Sequence, residues 1–150
     1  QGVNSVDFVR WTDDDFLEEA GYLISALGLE NDANNPYNEW DYYAVQAGGW
    51  RVNGILHQFC FGRVNPDGQK AGFAVTIEIR DNAKWELLEA MIPIMNEEIG
   101  RTDIAVNPKK NRGTDYPEVF WRYAEWDFQR IRNDCRRLQS LFNGHSVPRH

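Results

Sequence analysis

The sequence contains few of the residues and motifs that mark secreted, membrane or cofactor-binding proteins. It has two cysteines, Cys60 and Cys135, and they form no recognisable motif. Both fall within apolar patterns, which predicts buried free thiols and is typical of a reducing cytoplasm. No apolar run approaches the roughly 20 residues of a membrane-spanning helix. The polar, acidic start of the chain predicts no signal peptide.

Signatures of the common enzyme classes are absent as well. The chain has no nucleophile elbow, no phosphate-binding glycine loop and no dinucleotide fingerprint. Its three histidines do not cluster in the sequence, and His57 and Cys60 are three positions apart on a predicted strand. That spacing places them on opposite faces of a sheet. We therefore predict neither a metal site nor a cofactor, and we favour a binding protein over an enzyme.

The residues that are abundant predict an α+β fold. Hydrophobic residues make up 42% and aromatic residues 13% of 150 residues, which suits one globular domain over residues 1–150. The patterns predict a helix, a meander of strands, a second helix, further strands and a last helix. This order indicates a mostly antiparallel sheet of about four to six strands, with about three helices packed mainly on one face.

The stretch from Ala71 to Gly100 is central to this prediction. Large apolar side chains occupy alternate positions of its first part, at Phe73, Val75, Ile77 and Ile79. A period of two places them on one face of a sheet. After the capping residue Asp81, apolar residues recur every three or four positions and indicate a helix that ends at Gly100. Pro93 predicts a kink within it.

The rest of the chain contains one clearly predicted helix and two segments for which the sequence allows alternatives. Thr12 is the expected N-cap of a first helix that ends at Gly28, with Asp15 completing a capping box. The segment 50–64 is predicted either as two short strands, 50–56 and 57–64, or as one long strand bent at Gly54. The segment 118–124 has both strand propensity and helical spacing, and we predict a strand followed by the last helix.

Charge is distributed unevenly along a chain whose net charge is −7. Residues 1–100 contain 17 acidic and 6 basic side chains, whereas residues 101–150 contain 6 acidic and 10 basic ones. Asymmetry of this kind indicates charged partner surfaces. We expect the acidic and basic parts to form separate faces that act on different partners.

The acidic, aromatic stretch from Asn31 to Trp50 leads to a first functional hypothesis. Aromatic anchors among carboxylates suit a surface that binds a basic protein partner. The predicted contact residues are Tyr37, Glu39, Trp40, Asp41, Tyr43 and Trp50. The hypothesis is a cytoplasmic, non-enzymatic interaction domain, similar in type to inhibitors and immunity proteins.

The basic residues of the last third lead to a second hypothesis. A predicted loop carries Lys109, Lys110 and Arg112, and the last predicted helix carries Arg130, Arg136 and Arg137. A basic loop beside a basic helix would follow a phosphate backbone. The alternative function is therefore a nucleic-acid-binding accessory domain of a nuclease or of a restriction-type defence system.

A third hypothesis is a metal-dependent nuclease. Pro66-Asp67 followed by Glu78-Ile79-Arg80 resembles the P-D…(D/E)-x-K pattern of restriction-type nucleases. In that pattern the acidic side chains hold a divalent metal and the lysine aids the attacking water. The resemblance implies Asp67, Glu78 and Arg80 as catalytic candidates, with arginine in the place of lysine.

Overall fold

The computed structural model describes residues 12–31, 37–39, 42–64 and 72–145 of the chain. Within these ranges the helices are α1 (Asp13–Ala26), α2 (Trp85–Ile99) and α3 (Phe128–His145). The strands are β1 (Tyr37–Glu39), β2 (Tyr42–Gln46), β3 (Trp50–Val52), β4 (Ile55–Val64), β5 (Gly72–Ile79), β6 (Ala105–Val106) and β7 (Glu118–Tyr123). No helix in this part of the chain is long and apolar enough to span a membrane.

The strands form one antiparallel sheet with the order β1-β2-β4-β5-β7-β6, and β3 pairs with β4. β2 and β3 lie one after the other along the same edge of β4, because β2 pairs with residues 60–64 and β3 with residues 55–57. The helices pack against this sheet, and α3 contacts both α1 and α2. The predicted α+β class, with three helices on an antiparallel sheet, is confirmed.

The first helix begins and ends where the sequence predicts. The Thr12 hydroxyl accepts from the Asp15 amide at 3.1 Å, and the Asp15 carboxylate accepts from the Thr12 amide at 2.9 Å. This reciprocal pair is a capping box with Asp in the usual place of Glu. At the other end Gly28 has φ +72°, a left-handed conformation that costs glycine little.

Thr12→Ala should destabilise the protein by about 1 kcal/mol, because it removes the hydroxyl that accepts from the Asp15 amide. Urea denaturation of both proteins measures this difference. Ser25→Ala, an exposed change in the last turn of the same helix, is the control and should stay within about 0.5 kcal/mol. Equal effects of the two substitutions would contradict the capping role of Thr12.

The segment from Trp50 to Val64 differs from both predicted alternatives. It is a tight hairpin that turns at Asn53 and Gly54, whose φ angles are 52° and 81°. Two successive positive φ values are typical of a type I′ turn, for which Asn-Gly is the strongest sequence signal. The prediction of a strand that continues to Leu56 is therefore wrong, because Asn53 reverses the chain there.

The core lies between the helices and one face of the sheet. Side chains from β5, α2 and α3 meet in it with no exposed surface: Ile77, Ile79, Leu88, Met95, Leu138 and Phe142. The ambiguous segment 118–124 is the strand β7 followed by α3, as predicted. Cys60 and Cys135 are both buried and form no disulfide, as predicted.

His57 on β4 is a fully buried titratable group in this core. Its ring packs between Trp50 at 5.5 Å and Phe142 at 5.2 Å between ring centroids. Nδ1 lies 3.0 Å from the carbonyl of Ile55 and donates to it, since a carbonyl can only accept. Burial lowers the pKa of His57 below its usual value, so the ring is neutral in the folded protein.

Stability should therefore fall as the pH is lowered below about 6.5, because the unfolded chain binds a proton at this histidine that the folded protein does not. The contribution is fully present above that pH and declines toward the lowered pKa of the folded state. Urea midpoints at about pH 7.5 and about pH 5.5 measure it. His57→Phe should remove this component. An unchanged pH dependence in that variant would show that His57 is not its source.

Candidate anion-binding cleft

An open cleft of about 480 Å³ lies between α3 and the last turn of α2. The residues that line it are Ile99, Arg130, Asn133, Asp134, Arg136 and Arg137. Small-ligand sites typically occupy roughly 300–1,000 Å³, so the cleft is large enough for a ligand of the size of a nucleotide. Half of the residues that line it are arginines, which makes it a candidate site for anions.

The sequence of α3 explains why these side chains share one surface. Apolar residues recur at helical spacing and face the core: Phe128, Ile131, Cys135, Leu138 and Phe142. Arg130 and Arg137 are two helical turns apart and lie on one side of the remaining surface. Arg137 Nη1 lies 3.4 Å from the carbonyl oxygen of Glu98 and donates to it. Carbonyls in the last turn of a helix lack partners within the helix and favour cations.

The three arginines differ in how far their charge is neutralised. Arg130 Nε lies 3.4 Å from Asp134 Oδ2, one turn further along the helix. Arg136 and Arg137 are exposed, and neither forms an ion pair with a carboxylate of the described residues. Two uncompensated guanidinium groups, each with a fork of N–H donors, are therefore available to an anion.

Asp134 is a buried carboxylate that lines the cleft together with these arginines. Only 5% of its surface is exposed, and Oδ2 accepts from the hydroxyl of Tyr123 at 2.7 Å. The Tyr123 oxygen in turn accepts from Trp121 Nε1 at 2.8 Å. Burial raises the pKa of Tyr123 far above its usual value, so its hydroxyl keeps the proton that it donates to Asp134. The sheet thus holds the carboxylate in place under the cleft.

The predicted basic loop lies at the other end of α2. Lys110 Nζ is 3.3 Å from Glu118 Oε2, and Arg112 pairs with Glu89 and lies over the ring of Trp85. Trp85 and Glu98 are about 20 Å apart along the helix, at about 1.5 Å per residue. The structure therefore does not bring Lys109, Lys110 and Arg112 beside Arg130, Arg136 and Arg137, and it neutralises part of the loop.

The predicted acidic, aromatic contact residues are described only in part. Trp40 and Asp41 lie outside the described residues, and Tyr37 and Glu39 belong to the edge strand β1. Tyr43 and Trp50 are half-buried and pack against the core. The Tyr43 ring meets Phe16 edge-on at 6.3 Å, and the Trp50 ring stacks on Phe59 at 4.9 Å. Packing accounts for the placement of both rings.

The nuclease candidates are also described only in part, since Asp67 lies outside the described residues. Arg80 Nε is 2.6 Å from Glu78 Oε1, and its guanidinium donates to Gln58 at 2.8 Å. Arg80 thus neutralises Glu78 on the sheet, and its permanent charge suits that role. Within the described ranges, no three His, Cys, Asp or Glu side chains form a group that could hold a metal ion.

Sequence reasoning identified the arginines of the cleft and missed Ile99, Asn133 and Asp134. Asn133 and Asp134 follow Arg130 at helical spacings of three and four, a signal that could have placed them on the same side of α3. Ile99 carries no such signal, because it joins the cleft only through the packing of α2 on α3. No family model, curated protein sequence or solved structure matches this chain significantly.

Proposed function

We propose that the protein is a non-enzymatic domain that binds single-stranded nucleic acid through the α3 cleft. The observation that carries the proposal is the pair Arg136 and Arg137, exposed at a cleft and without carboxylate partners among the described residues. Arginine is suited to phosphate because its planar guanidinium donates two parallel hydrogen bonds. The proposal develops the nucleic-acid hypothesis by keeping the residues of the last helix and leaving out the basic loop.

The charge of the whole chain favours a short contact over a long one. With a net charge of −7, most of the surface repels a polyanion, so attraction is limited to the cleft and its surroundings. Exposed charges interact over about 8–10 Å at physiological salt, which confines the attraction further. A flexible single strand can bring one or two phosphates into the cleft, whereas a rigid duplex would bring its backbone against acidic surface as well.

A salt titration tests this proposal with the wild-type protein and a labelled single-stranded oligonucleotide. Neutralising one phosphate contributes about −0.7 to the slope of log Kobs against log salt, so one or two bound phosphates predict a slope of about −0.7 to −1.4. Raising the salt from about 50 to about 200 mM should then weaken binding roughly three- to sevenfold. Absence of binding at the lower salt concentration would overturn the proposal.

A second candidate function is the binding of a basic protein partner, as an inhibitor or immunity-type protein would do. It is supported by the exposed surface of α1, where Asp14, Glu18 and Tyr22 recur every four residues and no basic residue occurs. The Tyr22 hydroxyl donates to Glu18 at 2.7 Å, which orders an aromatic ring among carboxylates. A lysine-rich peptide is a suitable probe. Unchanged binding of this peptide after Glu18→Lys would exclude this surface.

A further inference from the structure

The cleft contains one group that a pure phosphate site would not need. Asp134 is an acceptor and carries a negative charge, so it repels a phosphate that approaches it closely. It nevertheless lines the cleft, together with three arginines that can only donate hydrogen bonds. A ligand that matches both the arginines and Asp134 must carry an anionic group and, beside it, a hydrogen-bond donor.

The geometry of Asp134 allows it to accept a hydrogen bond from that donor of the ligand. Tyr123 and Arg130 both contact Oδ2, which leaves Oδ1 without a donor from the described residues. An ionised carboxylate offers about four acceptor sites, and these two contacts use about two of them. Because the Tyr123 hydroxyl and the α3 backbone fix the carboxylate, a ligand donor would meet an acceptor that is already oriented.

We infer that the cleft recognises ribonucleotides, with a phosphate on Arg136 and Arg137 and the ribose 2′-hydroxyl donating to Asp134. This inference depends on the proposed function and names its ligand class. In an RNA strand each 2′-hydroxyl lies next to a phosphate, which reproduces the adjacent donor and anion that the cleft requires. The 2′-hydroxyl is also the group by which proteins distinguish RNA from DNA.

Three oligonucleotides of one sequence test the inference on the wild-type protein: RNA, DNA and 2′-O-methyl RNA. The last retains the sugar oxygen as an acceptor but replaces its hydrogen by a methyl group, so it cannot donate. RNA should bind about tenfold more tightly than either of the others, the lower end of what a hydrogen bond to a charged group contributes. Equal, salt-dependent binding of all three would overturn the inference and leave the proposed function standing. Binding of none would overturn the proposed function itself.

The Asp134→Asn variant tests whether Asp134 is the source of the preference for RNA over DNA. The amide oxygen can still accept from Tyr123, but the variant loses the charge that makes the contact with the ligand strong. RNA affinity should fall toward the DNA value, and DNA affinity should rise because a repulsive charge is gone. Tyr123→Phe keeps the carboxylate but removes the hydroxyl that orients it, so this variant should lower the preference for RNA less than Asp134→Asn does. An undiminished preference in a folded Asp134→Asn protein would overturn the role of Asp134. If that variant does not fold, the wild-type comparison with 2′-O-methyl RNA decides the inference.

Discussion

Reversing the charge of Arg136 and Arg137 together, as Arg136→Glu and Arg137→Glu, should weaken oligonucleotide binding by at least about a hundredfold. Both guanidinium groups lie at the cleft without carboxylate partners among the described residues, so the change replaces attraction by repulsion where a phosphate would bind. The salt dependence should also decrease, from a slope of about −0.7 to −1.4 toward zero. Fluorescence anisotropy at about 50 mM salt measures both quantities.

The matched control reverses two charges in the basic loop, as Lys109→Glu and Arg112→Glu. It changes the net charge by the same amount, at a site about 20 Å away along α2. That distance exceeds the screening length at physiological salt, so binding should fall only about two- to threefold. A larger effect in the loop than in the cleft would place the binding surface on the loop and contradict our assignment. Thermal melting of both variants verifies that they are folded.

Leu88→Ala should destabilise the fold by about 2–5 kcal/mol, the largest effect on stability that we expect. Leu88 has no exposed surface and packs in the core where α2 meets the sheet. Removal of its branched end takes away apolar contact and leaves a cavity that the sheet cannot fill without moving. The free energy of unfolding in urea measures the loss.

Ile94→Ala on the same helix is the control for that substitution. Ile94 is 39% exposed whereas Leu88 has no exposed surface, so truncation of Ile94 removes less buried contact, and alanine favours helix over isoleucine. We expect a change within about 0.5 kcal/mol. If Leu88→Ala and Ile94→Ala were equally mild, α2 would not be packed on the sheet as the structure shows.

The sequence predicts those parts of the fold that depend on local signals. The capping box at Thr12, the alternation in β5 and the helical spacing in α2 each lie within a few residues of one another, so pattern alone locates them. The hairpin at Asn53 and Gly54 was equally local and was missed because Val52, Ile55 and Leu56 resemble a continuing strand. A turn signal inside an apolar run should therefore take priority over the run.

The cleft depends on contacts between distant segments, which pattern cannot supply. The sequence shows that Arg130, Arg136 and Arg137 share a helix surface, but the position of Ile99 follows only from the packing of α2 on α3. The same holds for the loop 107–115. Trp85 Nε1 donates to the carbonyl of Asp115 at 3.2 Å, and this contact helps to hold the loop at the start of α2. The basic loop and the basic helix were expected to share a surface because their charges are alike, but the fold places them at opposite ends of α2.

The most direct test of the nucleic-acid proposal is a heteronuclear NMR titration of the arginine Nε–Hε signals with a short single-stranded RNA. We expect progressive shifts of Arg136 and Arg137, with smaller shifts of Arg130 because Asp134 holds it. The signals of Arg112 and of the α1 backbone around Glu18 should stay in place. Shifts confined to Arg112 or to α1, or no shift of Arg136 and Arg137 at saturating RNA, would contradict binding at the α3 cleft.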